Sequence, residues 1–467
     1  MLMDSARLVL DLMDFFTQMV RRILGAVERF GTEYDARSLE AYVEEQAKAL
    51  AAVVLEACWR LRVKGIPVPE SLPCVCGQRQ HRKGQRPRAV RGMVGTLNLE
   101  DRYLFRCDGC GKRTVWGDEL RGASNFTPLA EDRIAFAGKG GGFAEASESL
   151  RRLCGLEVAG STVRKVCRRL GGRLRARTDR EAAEQYGAGG GVPEEHPKRL
   201  AIGVDGVMLG RVDPQHRRRR SPKRGKVRGK TSLKNFFHEV KTLVIYEFDS
   251  AGKALRRTYW ATQERVEAFR EKVRLEAQKR GAELARELIF LGDGAPWVWK
   301  TAAELFPRAV QILDWYHALE HVWASARAFF GTREKELVAW VKEVEGNLWN
   351  GRLDEVVASM RELSRRLGTP DGNLSEQARA FDPRWIAYRN VGYFETNRDR
   401  MNYPEYRERK FPLSSGVVES TCKHVVSHRM KRAGMRWDEG GAEDIMALRC
   451  HDLNGRWDSL WEARRAG

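Results

Sequence analysis

Two apolar runs constrain this chain more than any other feature: RLAIGVD, ending at Asp205, and ELIFLGD, ending at Asp293. Short, nearly continuous apolar stretches are the pattern of strands covered on both faces, as in sheets flanked by helices. Around them HEVKTLVIYEF reads as a strand of a hairpin or meander, and AVQILD is a third run, ending in Asp314. Helical patterns occupy most of 263 to 286, 296 to 306 and 315 to 329. The alternation predicts an α/β unit whose strands deliver Asp205, Asp293 and Asp314 to the C-terminal sheet edge, where such folds concentrate their chemistry.

At 467 residues the chain is too long for one core, and its texture changes along its length. Residues 1–68 carry helical apolar spacing, with Phe16, Met19, Val20, Ile23, Leu24, Val27 and Phe30 in a first run and a second from Leu39 to Leu61. Such a face packs within its own domain or on a second subunit. Residues 69–120 alternate in short runs, and 121–185 hold two helices separated by a break near Gly155 to Gly160, the second capped by Ser161 or Thr162. A Gly- and Pro-rich break at 186–198 marks a linker. The α/β unit then spans 199–330, is interrupted by helical residues 331–410 and resumes at 411–467, where Ser414 and Ser415 are candidate N-caps for a helix that holds Glu419 and ends near Gly434.

Cys74, Cys76, Cys107 and Cys110 form C-x-C and C-x-x-C pairs, each followed by glycine, a spacing that suits one tetrahedral structural Zn²⁺. The first pair is one residue shorter than the usual knuckle, and His81 is a substitute ligand in reach of the sequence. Cys58, Cys154, Cys167, Cys422 and Cys450 lie in apolar helical contexts and read as packed thiols. With nine cysteines in all, the chain does not look like a secreted disulfide scaffold. Its formal net charge of +20 favours a polyanionic partner. Arg164, Lys165, Arg168 and Arg169 on the second helix of 121–185 form either a DNA-contacting or a merely solvated basic face. The run RRRRSPKRGKVRGK at 217–230 holds like charge with nothing apolar to bury. Lys423, Arg429, Lys431 and Arg432 follow Glu419 as candidates for holding DNA beside it. Charges interrupt the N-terminal apolar stretch before bilayer-spanning length, so no membrane partner and a cytoplasmic setting, nucleoid-associated when on DNA, are expected.

Taken singly, an Asp-Gly step such as Asp205-Gly206 or Asp293-Gly294 is ordinary turn chemistry. Glu419 is, in the same plain reading, a helix-dipole partner or an i,i+4 pair for Lys423. Together the three acids are a hard-oxygen set for two Mg²⁺ or Mn²⁺ ions, which supports phosphodiester cleavage and strand transfer at one site. Asp314 caps the helix that follows it or organises the site, and His317 and His321, one turn apart, are a metal pair or a solvated face.

At these residues the sequence resembles the insertion-sequence transposases of the ISKra group. The matching blocks are VDG at 204–206, LGDGAPWVW at 291–299, QILDWYHALEH at 311–321, YFETNRDRMNY at 393–403 and SSGVVESTCKHVVSHRMKRAGMRW at 414–437. The resemblance implies a catalytic domain of RNase H-like fold with Asp205, Asp293 and Glu419 as its acids, and Asp314 and His317 as a D-x-x-H element. The expected fold class is therefore multidomain α+β: a helical N-terminal region, a zinc ribbon, a helix-turn-helix and an RNase H-like α/β catalytic domain with an all-helical insertion. The expected partners are double-stranded DNA, as terminal inverted repeats and as target, and a second copy or higher homo-oligomer. The competing expectation is a non-catalytic, domesticated DNA-binding protein acting as a repressor or architectural factor.

Overall fold

A computed structural model describes residues 2–30, 35–64, 67–116, 125–187, 197–212, 236–414 and 416–462 of the chain. Most of the expected linker and the whole basic run at 217–230 lie outside these residues. The chain is mixed α and β and divides into two compact units, Met1–Cys167 and Arg168–Gly467. The division falls inside a helix, Gly160–Gly187. Among the described residues no helix is long and apolar enough to cross a membrane.

The first unit opens with two long helices, α1 (Leu2–Phe30) and α2 (Ala36–Lys64). An antiparallel sheet follows, in the order β1 (Ser71–Pro73), β2 (Arg79–Gly92), β3 (Gly95–Cys107) and β4 (Arg113–Trp116). The β2–β3 hairpin closes at Gly92↔Gly95, where Gly95 takes a φ of 114° that a side chain would strain. Val90, Leu97 and Leu99 alternate inward and pack against Ala52 and Trp59 of α2. Three helices complete the unit: α3 (Pro128–Gly140), α4 (Phe143–Cys154) and the first part of α5 (Gly160–Gly187). Thr127 caps α3 by accepting from the Ala130 amide, with Pro128 in the first turn. Gly155 ends α4 in the left-handed region, and the Leu156 amide reaches back to the Leu150 carbonyl. α5 starts at Gly160 and not on a Ser161 or Thr162 cap. A Cβ at Gly160 would stand 3.0 Å from the Phe143 carbonyl oxygen, so close approach to α4 selects glycine there.

The second unit is built on a five-stranded sheet in the order β7-β6-β5-β8-β9: β5 (Arg199–Arg211), β6 (Phe236–Phe248), β7 (Ala254–Thr262), β8 (Glu287–Gly292) and β9 (Val310–Leu313). β5, β6 and β7 form an antiparallel meander, and β8 and β9 add in parallel on the other side of β5. The parallel strands are reached through α6 (Val266–Lys279) and α7 (Pro296–Leu305), and α8 (Trp315–Phe330) leaves β9. Fully buried Leu200, Ile202, Val244, Ile245, Ile289, Phe290 and Ile312 form the sheet's part of one large core. The helical interruption comprises α9 (Glu334–Trp349), α10 (Leu353–Leu367), α11 (Glu376–Arg379), α12 (Pro383–Thr396) and α13 (Tyr403–Glu408). The chain returns through α14 (Gly416–Thr421), a π-helical turn at Cys422–Ser427, α15 (His428–Met430), α16 (Glu439–Leu453) and α17 (Ser459–Glu462).

The sheet corrects the expectation that a strand ends at Asp205. β6 pairs with β5 without a break from Leu200↔Glu247 to Arg211↔Phe236, so the strand continues through Asp205-Gly206. β8 pairs with β5 only from Arg199↔Glu287 to Gly203↔Leu291. Asp205 and Asp293 each lie two residues beyond that last parallel pair, at corresponding places on neighbouring strands.

Candidate active site and metal centre

The four cysteines come together. Their Sγ atoms all lie within 4.8 Å of one another, with Cys74 and Cys110 at 3.5 Å and Cys76 and Cys107 also at 3.5 Å. Sulfurs on a tetrahedral Zn²⁺ sit about 3.8 Å apart, from a Zn–S length of about 2.3 Å, so the cluster fits the ion. Each pair sits in a tight turn: Gly77 donates to the Cys74 carbonyl and Gly111 to the Cys107 carbonyl, both glycines at positive φ. The amide of Cys110 donates to Cys107 and holds its thiol below the ordinary value. Cys76 also accepts from the Gln78 amide, but sharing hydrogen bonds with the Cys110, Cys74 and Cys107 thiols leaves its pKa raised. A cation bound there would compete with protons for the Cys76 and Cys107 sulfurs. His81 is exposed on β2 and is not part of the group.

The carboxylates are arranged differently. Asp205 is half-buried, and desolvation pushes its pKa up; a hydrogen bond from the Cys422 thiol, at 3.2 Å, opposes the shift, and the Asp293 charge adds to it. Asp293 accepts from the Ala295 amide at 2.9 Å and sits before Gly294. Gly294 has a φ of 99°, and a Cβ there would stand 2.6 Å from the Tyr393 ring. Tyr393, on α12, donates from its hydroxyl to the Asp293 carbonyl at 2.8 Å, so the helical interruption braces the second Asp. Gly203 and Gly292 serve the same edge: a Cβ on either would stand 2.3 Å from Val418 of α14 or Val298 of α7. The glycines before both acids therefore let helices close onto the strands.

Asp314 is fully buried and caps α8, accepting from the His317 amide at 2.8 Å. The same oxygen lies 3.0 Å from His317 Nδ1 and raises the His317 pKa to about 9, with Asp205 and Asp293 adding to the rise. His317 is thus a cation at neutral pH in the field of both acids. His321 does not pair with it as a ligand: its ring meets Asn390 Oδ1 at 2.7 Å and stacks on Tyr393 at 3.7 Å, and burial lowers its pKa.

Glu419 is not drawn into this group. Its side chain is 60% exposed and pairs with Lys423 at 2.7 Å. Among the described residues, the cysteines are the group of ligating side chains that closes within 4.8 Å; Asp205, Asp293 and Glu419 do not. α14 nonetheless packs on β5 and β6, through Val418 against Gly203, and the π-helical turn after it carries Cys422, whose thiol bridges Asp205 at 3.2 Å and the Thr242 hydroxyl at 3.1 Å. Cys422, Thr242 and Tyr393 are site residues that sequence reasoning did not select. Cys422 read as a packed thiol, and only its place one turn after Glu419 was a signal.

The basic candidates divide. Arg164 and Lys165 are exposed on α5, but Arg168 is held by Asp438 at 3.1 Å and Arg169 is half-buried. Arg429 is fully buried over the Trp437 ring, so it belongs to the core and not to a DNA-facing surface. Lys431 and Arg432 are exposed, with Arg436, on a turn fastened to the end of β5. Val212 donates to the Trp437 carbonyl at 2.9 Å, Trp437 to the Gly210 carbonyl at 3.2 Å, and the Trp437 indole to the Met430 carbonyl at 3.0 Å. Between this turn and Phe237, which is 53% exposed, lies a cleft of about 250 Å³. Cations around an exposed aromatic ring are the features that track a nucleic-acid backbone and stack a base. No protein-family model and no curated protein matches the chain.

Proposed function

We propose that the protein is a DDE transposase, similar to the ISKra group, which binds the ends of an insertion sequence and cuts and joins DNA strands in a metal-dependent reaction. The observation that carries this reading is the register of β5 and β8, which leaves Asp205 and Asp293 each two residues beyond their last shared pair, at corresponding places on neighbouring strands. Support comes also from the strand order, a three-strand meander followed by two parallel strands, which is that of RNase H-like domains. The raised pKa of Asp205 beside Asp293 marks a place where a divalent cation would relieve both desolvation and repulsion. Carboxylate oxygens suit Mg²⁺ or Mn²⁺, and ions held by Asp205, Asp293 and Glu419 would supply charge stabilisation at the scissile phosphate. Attack by water on phosphorus breaks the bond to the leaving oxygen and cuts the strand; attack by a 3′-hydroxyl joins strands at the same site. Protonated His317 offsets the paired Asp charges, and Asp314 holds its ring in place. Lys431, Arg432 and Arg436 contact phosphates beside the acids, Arg164 and Lys165 contact DNA from α5, and the cysteine cluster holds one Zn²⁺ as the core of a ribbon.

A second reading, a DNA-binding protein without cleavage, draws on the outward Glu419–Lys423 pair. Nicking of element-end DNA in Mg²⁺ separates the two. The transposase reading requires that wild type nicks and that Asp293→Asn does not; equal nicking by both would remove the assignment.

A further inference from the structure

The described part of α1 carries two apolar seams, and only one of them has a place to go. Leu12, Phe15, Met19, Ile23 and Ala26 are half-buried, buried or covered along the side toward α2, which packs on α1. On the other side Val9, Leu10, Met13, Phe16, Leu24 and Val27 are 43% to 66% exposed, with Val20 half-buried among them. A quarter of the large exposed apolar side chains of the described chain thus lie on one helix, in a stripe that recurs every three to four residues. A soluble chain does not leave such a stripe in water without a partner.

The charges beside the stripe say what the partner is. Asp14 flanks its first half and Arg21 its second, on the same edge of the stripe, and both are exposed. Two copies of the helix laid parallel would set acid beside acid and base beside base. Laid antiparallel about the middle of the stripe, Phe16 of one copy stands opposite Val20 of the other and Val9 opposite Val27. The same register brings Asp14 of one copy beside Arg21 of the other. A closed two-fold pairing needs self-complementarity of this kind, apolar to apolar and acid to base across one dyad. We propose that the exposed face of α1 is the subunit interface of a homodimer, formed by antiparallel docking of α1 on its copy so that the α1–α2 pairs of two chains make a four-helix bundle. The inference goes beyond the catalytic reading and does not depend on it.

The test is the solution mass of the full chain, by light scattering free of nucleic acid, with circular dichroism to confirm helix content. Wild type is expected at twice the chain mass. Leu10→Lys and Phe16→Asp, both on the exposed face, are expected at one chain mass with helix content retained. Asp14→Arg is expected to weaken the dimer by about tenfold, the effect of two symmetry-related charge clashes, and Asp14→Arg with Arg21→Asp to restore it. A monomeric wild type, a dimer indifferent to Leu10→Lys and Phe16→Asp, or a charge swap that restores nothing would each overturn the proposal. So would a monomer that uses this face to bind anionic lipid vesicles.

Discussion

The cysteine cluster and the carboxylate site are both candidate metal centres, yet one is closed and the other open. All four cysteine sulfurs meet within 4.8 Å, whereas Glu419 stands 60% exposed on Lys423, apart from Asp205 and Asp293 at the ends of the β5–β8 ladder. Locality explains the difference. Each cysteine pair is fixed by a turn a few residues long, closed by its own backbone hydrogen bonds and a glycine at positive φ. The acids are gathered from strands and a helix far apart in sequence, and the helix carrying Glu419 passes at once into a π-helical turn. On the proposed reading, the closed site would be structural, and the open one would admit a substrate and its ions with Glu419 as the ligand left outside.

The largest effect expected from this contrast is at the closed site. Cys107→Ser should take bound zinc from one ion per chain to none and unfold β1 to β4, because structural Zn²⁺ contributes folding free energy of the order of 10 kcal/mol in small domains. Metal analysis with hydrogen exchange checks it, and a variant that keeps its zinc and its protected strands breaks the comparison. The open site should respond to hard cations instead. Mn²⁺ at about a hundredfold excess over its Kd should stabilise the second unit by about 2.7 kcal/mol. Asp205→Asn should abolish that gain while leaving the metal-free protein at least as stable, since it removes a buried charge that burial disfavours. Thermal melts with and without Mn²⁺ measure both.

The His317–Asp314 pair sharpens the comparison through pH. A histidine whose pKa is raised on folding, here to about 9, stabilises the fold fully below its unfolded value near 6.5, and that contribution disappears as the pH rises through about 9. His317→Gln should therefore flatten the alkaline loss of stability between pH 7 and 9, read by denaturant melts across that window. The smallest effect belongs to Lys423→Ala. Its pair with Glu419 is exposed at both ends, so stability should change by less than about 1 kcal/mol. Mn²⁺ affinity should hold or rise, because Glu419 is released; a marked loss of affinity would mean that the lysine is part of the site.

What was legible in the sequence follows the same division between local and gathered. The runs RLAIGVD, ELIFLGD and AVQILD are β5, β8 and β9, since buried strands declare themselves by unbroken apolarity. The two cysteine turns were readable because Cys and Gly spacing is itself the geometry. The continuation of β5 past Asp205 was not, because GVMLGR reads as a loop start until β6 is laid against it, residue for residue, to Arg211↔Phe236. Arg429 and Lys431 look alike in a basic run, and only the packing of Trp437 decides that one is core and the other surface. The Cys422 thiol on Asp205 and the Tyr393 hydroxyl on the Asp293 loop join residues distant in the chain, which no local pattern encodes.

The central claim is that Asp205, Asp293 and Glu419 act together on DNA although the third stands apart in the folded chain. The direct measurement is nicking of element-end DNA by purified protein in Mg²⁺, with Asp293→Asn and Glu419→Gln compared with wild type. The account predicts metal-dependent nicking by wild type and its loss by about a hundredfold or more in both variants, while DNA binding is retained. Nicking by Glu419→Gln at the wild-type rate would contradict it and leave Glu419 as a surface partner of Lys423.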